Sequence, residues 1–233
     1  MTTLSQYLKG AKASLPVILG YLPVAIAFAV MASEAGLSRL EIILMSTLVF
    51  AGGSQIMAIG MITSGATMIS IVVGTFVFNL RHVIMGSYIM KKVGKTTTAQ
   101  KLTTANGITD ESFAIISATP EQECTVPYLF GILTVTYGSW VLGTVLGAFI
   151  SMLIPAVVSD ALGIALYALF ISLLVPSVKR SARLVILIAF TAILNTVLTL
   201  LLPESAQSWA IIISSLVASF VGVFFVKDEE VGA

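Results

Sequence analysis

Thr75, Asn79 and His82 follow one another at i, i+4 and i+7 in an otherwise apolar stretch. On a helix this spacing puts all three on one face. Arg81 lies between them in sequence but points elsewhere, toward Phe78 and Met85. If the stretch crosses a bilayer, a guanidinium near its middle costs about 2.5–3.5 kcal/mol even on the gentlest scale. Such a residue must face protein or water and have a partner. Asp110 and Glu111 are the nearby acids that themselves sit in a largely apolar stretch. An Arg81 bridge to either carboxylate would pin two helices as a static tie, or would take part in moving a charged ligand.

A second group is Phe50-Ala-Gly-Gly-Ser-Gln55, where Gly52, Gly53, Ser54 and Gln55 interrupt an apolar run. Glycines there let a helix break and expose backbone carbonyls and N–H groups, as in the discontinuous helices of many transporters. The same glycines equally suit close packing between helices. Pro23 frees the Leu19 carbonyl in a comparable way. Gly143-x-x-x-Gly147 is a close-packing motif that needs a helix to lie against.

Protons have three candidate carriers. His82, the sole histidine, has an unperturbed pKa of about 6.5. Asp110 and Glu111 qualify because burial moves a carboxylate toward neutrality, and the acids are favoured over the imidazole. One histidine without carboxylates at matching spacing does not make a metal site, and the single Cys124 makes neither an intrachain disulfide nor a CxxC site. The sequence contains no HExxH, GxSxG or P-loop pattern, so neither an enzyme nor a bound cofactor is expected.

The elements that hold these residues must be membrane helices. Apolar residues make up 58% of the chain and charged ones 10%, with a mean hydropathy of +1.05. A water-facing surface needs about a quarter charged residues. With a net charge of +1, no basic face for nucleic acid is present. The apolar runs are Leu15–Met31, Ile42–Ile62, Met68–Met90, the short Ile108–Ala118, Val126–Leu153, Ala161–Val175, Leu184–Leu202 and Trp209–Val226. None alternates as barrel strands do. The expected fold is an all-α polytopic bundle of about seven to eight segments, some broken or re-entrant, in one transmembrane domain over 1–233. The N-terminal run has the layout of a signal peptide, but Pro16, Pro23 and the later segments favour a retained helix.

Basic clusters at Lys9/Lys12, Lys91/Lys92/Lys95/Lys101 and Lys179/Arg180/Arg183 all belong in the cytoplasm by the positive-inside rule. Even numbers of crossings must then separate them, yet three segments fall in each interval. Either one segment in each interval is re-entrant, the Gly-broken second and the short fourth being the candidates, which is tolerated inside protein or around a water cavity, or one basic cluster lies outside. Thr75-x-x-x-Asn79 recurs as Thr191-x-x-x-Asn195, and Tyr21-Leu-Pro and Tyr137-Gly-Ser open long helices, the marks of an internal repeat.

Pro16…Gly20…Pro23, Ala35-Gly-Leu-Ser38, Phe50-Ala-Gly-Gly-Ser-Gln55, Asn79-Leu-Arg-His82, Thr109-Asp-Glu-Ser112 and Tyr137…Trp140, in that order, resemble the AzlC family. The resemblance spans nearly the whole chain, more loosely in its second half. It implies the large subunit of an exporter of leucine, isoleucine, valine and often methionine in the bacterial inner membrane. It further implies proton-driven export and a small AzlD-type membrane partner, against which a small-residue face such as Gly143/Gly147 is expected to pack. A zwitterionic substrate fits the residues present. Asp110, Glu111 or a freed carbonyl near Gly52-Gly53 would receive its ammonium. Arg81, Asn79, Gln55 or an exposed helix N-terminus would hold its carboxylate. The competing classes are an ion-permeating channel and a structural membrane subunit.

Overall fold

A computed structural model describes residues 2–151, 171, 175, 178, 181–203 and 206–225. Within them lie ten helices: α1 (Thr3–Ala13), α2 (Leu15–Glu34), α3 (Arg39–Leu48), α4 (Gly52–Thr63), α5 (Met68–Val93), α6 (Thr98–Gly107), α7 (Asp110–Ala118), α8 (Val126–Ile150), α9 (Ala182–Leu201) and α10 (Ser208–Phe225). No strand occurs among the described residues. The expected segment at 161–175, and the basic pair at 179–180, lie outside the described residues apart from 171 and 175.

Helices α2, α5, α8 and α9 are long and apolar enough to cross a membrane. Helix α3 has 10 residues and α7 has 9. At 1.5 Å per residue each rises only about 15 Å, half of a hydrocarbon core. The second and fourth apolar segments are therefore built from half-length helices. Two helices that the apolar pattern did not mark, α1 and α6, carry many polar residues. Helix α6 is announced locally by a capping box, Thr97 with Gln100.

The chain divides into two compact units, one of 1–56 with 78–163 and one of 57–77 with 164–233. In the first unit, α2 and α8 run parallel and nearly touch. A Cβ on Gly143 would lie 2.8 Å from Ala25 Cβ, and one on Gly147 would lie 2.7 Å from Ala29 Cβ. This corrects the expectation for that glycine pair: its partner is α2 of the same chain, so the motif gives no sign of a second subunit. Tyr21, Ala25 and Ala29 follow one another at four-residue spacing, as do Gly143 and Gly147, so the small faces stay in register.

Helix α1 closes on the start of α8 through a reciprocal glycine contact. Gly10 sits against the Tyr128 carbonyl and Gly131 against the Tyr7 carbonyl. Thr125 Oγ1 donates to Gln6 Oε1 at 3.0 Å. The 2.6 Å Lys9–Glu123 ion pair nearby is about half exposed on both sides and adds little. Cys124 is buried against Ile116, Tyr128 and Leu129, and burial raises its thiol's pKa, with Lys92 opposing weakly, so it stays protonated.

In the second unit α9 pairs with α10. Gly222 faces Leu187, whose Cδ2 would lie 2.9 Å from an added Cβ, and Ser214 Oγ donates to Asn195 Oδ1 at 3.4 Å. None of the described α9 residues is buried, and its apolar surface is what a lipid-facing helix presents.

Candidate functional site

Two helix breaks and the middle of α5 bring the polar residues of the first unit together. The first break separates α3 from α4 at Val49-Phe50-Ala51. Phe50 takes the left-handed conformation, with φ +42°, which strains a non-glycine residue. Its buried ring packs 4.9 Å from that of Tyr137, and Tyr137 O–H donates to the Thr47 carbonyl at 2.8 Å, at the end of α3. Gln55 staples the break. Its Oε1 accepts from Ala51 N at 3.1 Å and its Nε2 donates to Ser46 Oγ at 3.0 Å. Ser46 Oγ in turn shares a 2.7 Å hydrogen bond with Thr144 Oγ1 on α8.

The expectation that Gly52 and Gly53 create the break is corrected by this geometry. The break falls before them, at Val49-Phe50-Ala51, and both glycines lie in the first turn of α4. Gly52 is needed for space, since a Cβ there would meet Trp140 Cη2 at 2.6 Å. Being first in the helix, Gly52, Gly53 and Ser54 have N–H groups without intrahelical acceptors. Ser54 Oγ donates to Ala51 O at 3.0 Å and accepts from Asn79 Nδ2, also at 3.0 Å.

The second break separates α6 from α7 at Ile108-Thr109. Thr109 caps α7: its Oγ1 accepts from Ser112 N at 3.3 Å, while Ser112 Oγ accepts from Thr109 N at 2.9 Å. Asp110 and Glu111 occupy the first turn, where the helix dipole favours negative charge. Asp110 Oδ2 pairs with Arg81 Nη1 at 2.6 Å, so of the two acids left open, Asp110 is the one bridged to the guanidinium. Arg81 also lies over the Phe78 ring at 4.7 Å. Further along the same two helices, Tyr88 meets Phe113 at 5.4 Å, and Lys92 Nζ donates to Ser117 O at 2.7 Å, closing the C-terminal end of α7.

Glu111 finds a partner on α2. The buried Tyr21 hydroxyl lies 2.5 Å from Glu111 Oε2 and 2.6 Å from Thr109 Oγ1. The phenol has one proton for these two acceptors, and Thr109 Oγ1 in turn donates to Ser112 Oγ at 3.3 Å. Trp140 stands edge-on to Tyr21, with ring centroids 5.4 Å apart. Neither Tyr21 nor Trp140 stood out chemically in the sequence, because an aromatic in an apolar run reads as core.

Three buried polar atoms of this cluster have no partner among the described residues: Asn79 Oδ1, Arg81 Nε and Trp140 Nε1. They amount to one acceptor and two donors. Buried groups left this way are expensive and suit a ligand that carries both a donor and an acceptor. His82, half-buried on α5, is not drawn into these contacts. Tyr21→Phe keeps the ring against Trp140 and removes the phenol hydroxyl from Glu111. It should cost about 1.5–3 kcal/mol, read as a fall in Tm in detergent, and should add little to Glu111→Gln.

Two helix breaks flanked by half-length helices, with Arg81 on α5 paired to Asp110 on α7, are features of polytopic membrane proteins and are shared by many transporters. The family model described as AzlC protein matches residues 16–154. The chain is 34% identical to "Inner membrane protein YgaZ" of Escherichia coli K12 over 208 residues, which is 84% of this chain and 83% of that protein. It is 34% identical to an Archaeoglobus fulgidus protein named "Uncharacterized membrane protein" over 75% of this chain and 77% of that one. It is 26% identical to "Branched-chain amino acid transport protein AzlC" of Bacillus subtilis 168 over 58% and 53% of the two chains. No solved structure is a significant match. The chain belongs to the AzlC family, and it is a multi-pass membrane protein.

Proposed function

We propose that this chain is the large subunit of a secondary transporter that exports branched-chain amino acids (leucine, isoleucine, valine and methionine) in exchange for protons. Its proposed partner is a small AzlD-type membrane subunit, and the whole chain acts as one transport domain. Family membership supports a membrane transporter, and the Bacillus subtilis relative's name supports the substrate class. The observation that carries the reading is the Arg81–Asp110 pair beside three unpartnered polar atoms.

The donors left on Arg81 and Trp140, with the first-turn N–H groups of Gly52, Gly53 and Ser54, would receive the substrate carboxylate. Asn79 Oδ1 and the carboxylates of Asp110 and Glu111 would receive its ammonium. A carboxylate that holds either a proton or an ammonium, never both at once, is sufficient for exchange. Asp110 and Glu111 are assigned this proton-coupling step, with His82 as the other titratable group of α5. Gln55 serves by holding the first break in shape.

Counterflow of labelled leucine into proteoliposomes that contain both subunits tests the class. A carrier saturates and exchanges, a channel does neither, and a scaffold gives no flux. Asp110→Asn and Glu111→Gln keep the shape and lose the titratable proton. At least one of them should abolish pH-driven net export by tenfold or more, on the order of 1.4 kcal/mol, while leucine exchange persists in part. Wild-type pH-driven export in both would remove these acids from proton coupling.

A further inference from the structure

A groove of about 620 Å³ lies in the first unit, lined by Thr47, Leu102, Thr103, Asn106, Gly107, Phe130, Leu133, Thr134, Tyr137 and Gly138. We propose that it is a loading site for the aliphatic ammonium end of the substrate, occupied before the ligand crosses the second break. The proposal rests on the amino-acid export reading above and deepens it.

Four hydroxyls reach this groove, and all are committed as donors to backbone carbonyls. Thr47 Oγ1 donates to Ile43 O at 3.0 Å, Thr103 Oγ1 to Ala99 O at 2.9 Å, Thr134 Oγ1 to Phe130 O at 2.8 Å and Tyr137 O–H to Thr47 O at 2.8 Å. What they have left is lone pairs, so the hydroxyls present acceptors only. Two half-helices also end here. Thr47 belongs to the last turn of α3, and Asn106 and Gly107 close α6. Their final carbonyls carry the negative end of each helix dipole. Among the described residues no charged side chain lines the groove, and the Asn106 amide supplies N–H donors, so a carboxylate has donors but no counter-ion there, whereas an ammonium has hydroxyl and helix-end carbonyl oxygens to meet.

The remaining walls, Leu102, Phe130 and Leu133, suit an aliphatic chain. The volume admits an amino acid of leucine's size with room for water. Gly107 and Leu133 close one wall, where an added Cβ would lie 3.3 Å from Leu133 Cδ1, and Asp110 begins α7 three residues beyond Gly107. Helix α6 follows Lys91, Lys92 and Lys95 and carries Lys101. The positive-inside rule places the start of α6 in the cytoplasm, the side from which an exporter must load, and the groove lies along α6 toward its other end at Asn106 and Gly107.

Gly138 makes the site testable, because an added Cβ there meets nothing within 4 Å. Gly138→Leu therefore grows into the groove without pressing on the backbone. The first assay uses Thr134→Cys in the two-subunit complex in inside-out vesicles, with a membrane-impermeant maleimide as probe; buried Cys124 is the only native thiol. Leucine and isopentylamine should each slow labelling by about fivefold or more at saturation, while 4-methylpentanoate, which lacks the ammonium, should not. Adding Gly138→Leu should remove that protection, and Gly138→Leu alone should cut leucine export more than about tenfold with Tm unchanged. Thr103→Cys repeats the assay if Thr134→Cys does not fold.

Equal protection by the acid, or none by the amine, overturns the proposal. So does labelling that responds only to the presence of the small subunit, which would make the groove a partner interface. The transport reading fails separately. Protection by isopentylamine with no leucine counterflow in wild type leaves the groove and removes the exporter. Counterflow without protection removes the groove alone.

Discussion

Arg81→Gln should destabilise the protein by about 3 kcal/mol, the lower end of the cost of stranding one member of a buried ion pair. The guanidinium is bound 2.6 Å from Asp110, and roughly a third of each side chain is exposed, 36% and 31%. That exposure keeps the expected loss below the full buried value. Removing Arg81 leaves the partly buried Asp110 carboxylate without its cation, at the positive end of the α7 dipole. Arg81→Gln with Asp110→Asn removes both charges and should recover part of the loss, a coupling of about 1–3 kcal/mol. Arg81→Gln with Glu111→Gln should be additive, because Glu111 is tied to Tyr21 instead. Thermal unfolding in detergent reads all three. Additive losses in the Arg81/Asp110 pair, or coupling in the Arg81/Glu111 pair, would contradict the arrangement.

That ion pair was legible in the sequence because cost, not pattern, announces it. A guanidinium in an apolar run must have a partner, and only two acids stood near. Choosing between adjacent acids needs the third dimension. Asp110 and Glu111 differ by one residue, and about 100° around a helix sends one to α5 and the other to α2. Tyr21 was invisible for the opposite reason: an aromatic in an apolar helix carries no sign of whether its hydroxyl is used. The long helices were legible within a few residues, as with Met68–Met90 against α5 at Met68–Val93.

The breaks were legible in part. Phe50-Ala-Gly-Gly-Ser-Gln55 marked an interruption, but glycine's freedom misplaced it. The positive φ falls on Phe50, where ring packing against Tyr137 offsets a strain that glycine would have avoided. Thr109-Asp-Glu-Ser112 reads, once folded, as a cap, an ion-pair partner, a phenol partner and a second cap. In sequence only its two charges were visible. The Gly143/Gly147 face was correctly read as a packing surface and assigned to the wrong helix. Small-residue spacing gives the geometry of a contact and nothing about which chain supplies the other half.

Gly131→Ala should lower both the yield and the Tm of the folded protein, at a cost of about 3 kcal/mol. The glycine faces the Tyr7 carbonyl, and a Cβ would also lie 2.8 Å from Ala11 N. Both obstacles are backbone, so no rotamer change relieves the clash. Only a shift of α1 away from α8 can, and that opens the reciprocal Gly10–Tyr128 contact on the same interface. Gly10→Ala should therefore behave alike, and the double variant should cost less than the sum, because one displacement of α1 serves both. Gly138→Ala, on the open face of the same helix, is the control and should leave Tm within about 1–2 °C of wild type. Detergent size-exclusion profiles and thermal melts distinguish the three. A normally folded Gly131→Ala protein with an unshifted Tm would mean that α1 does not pack on α8 through these glycines.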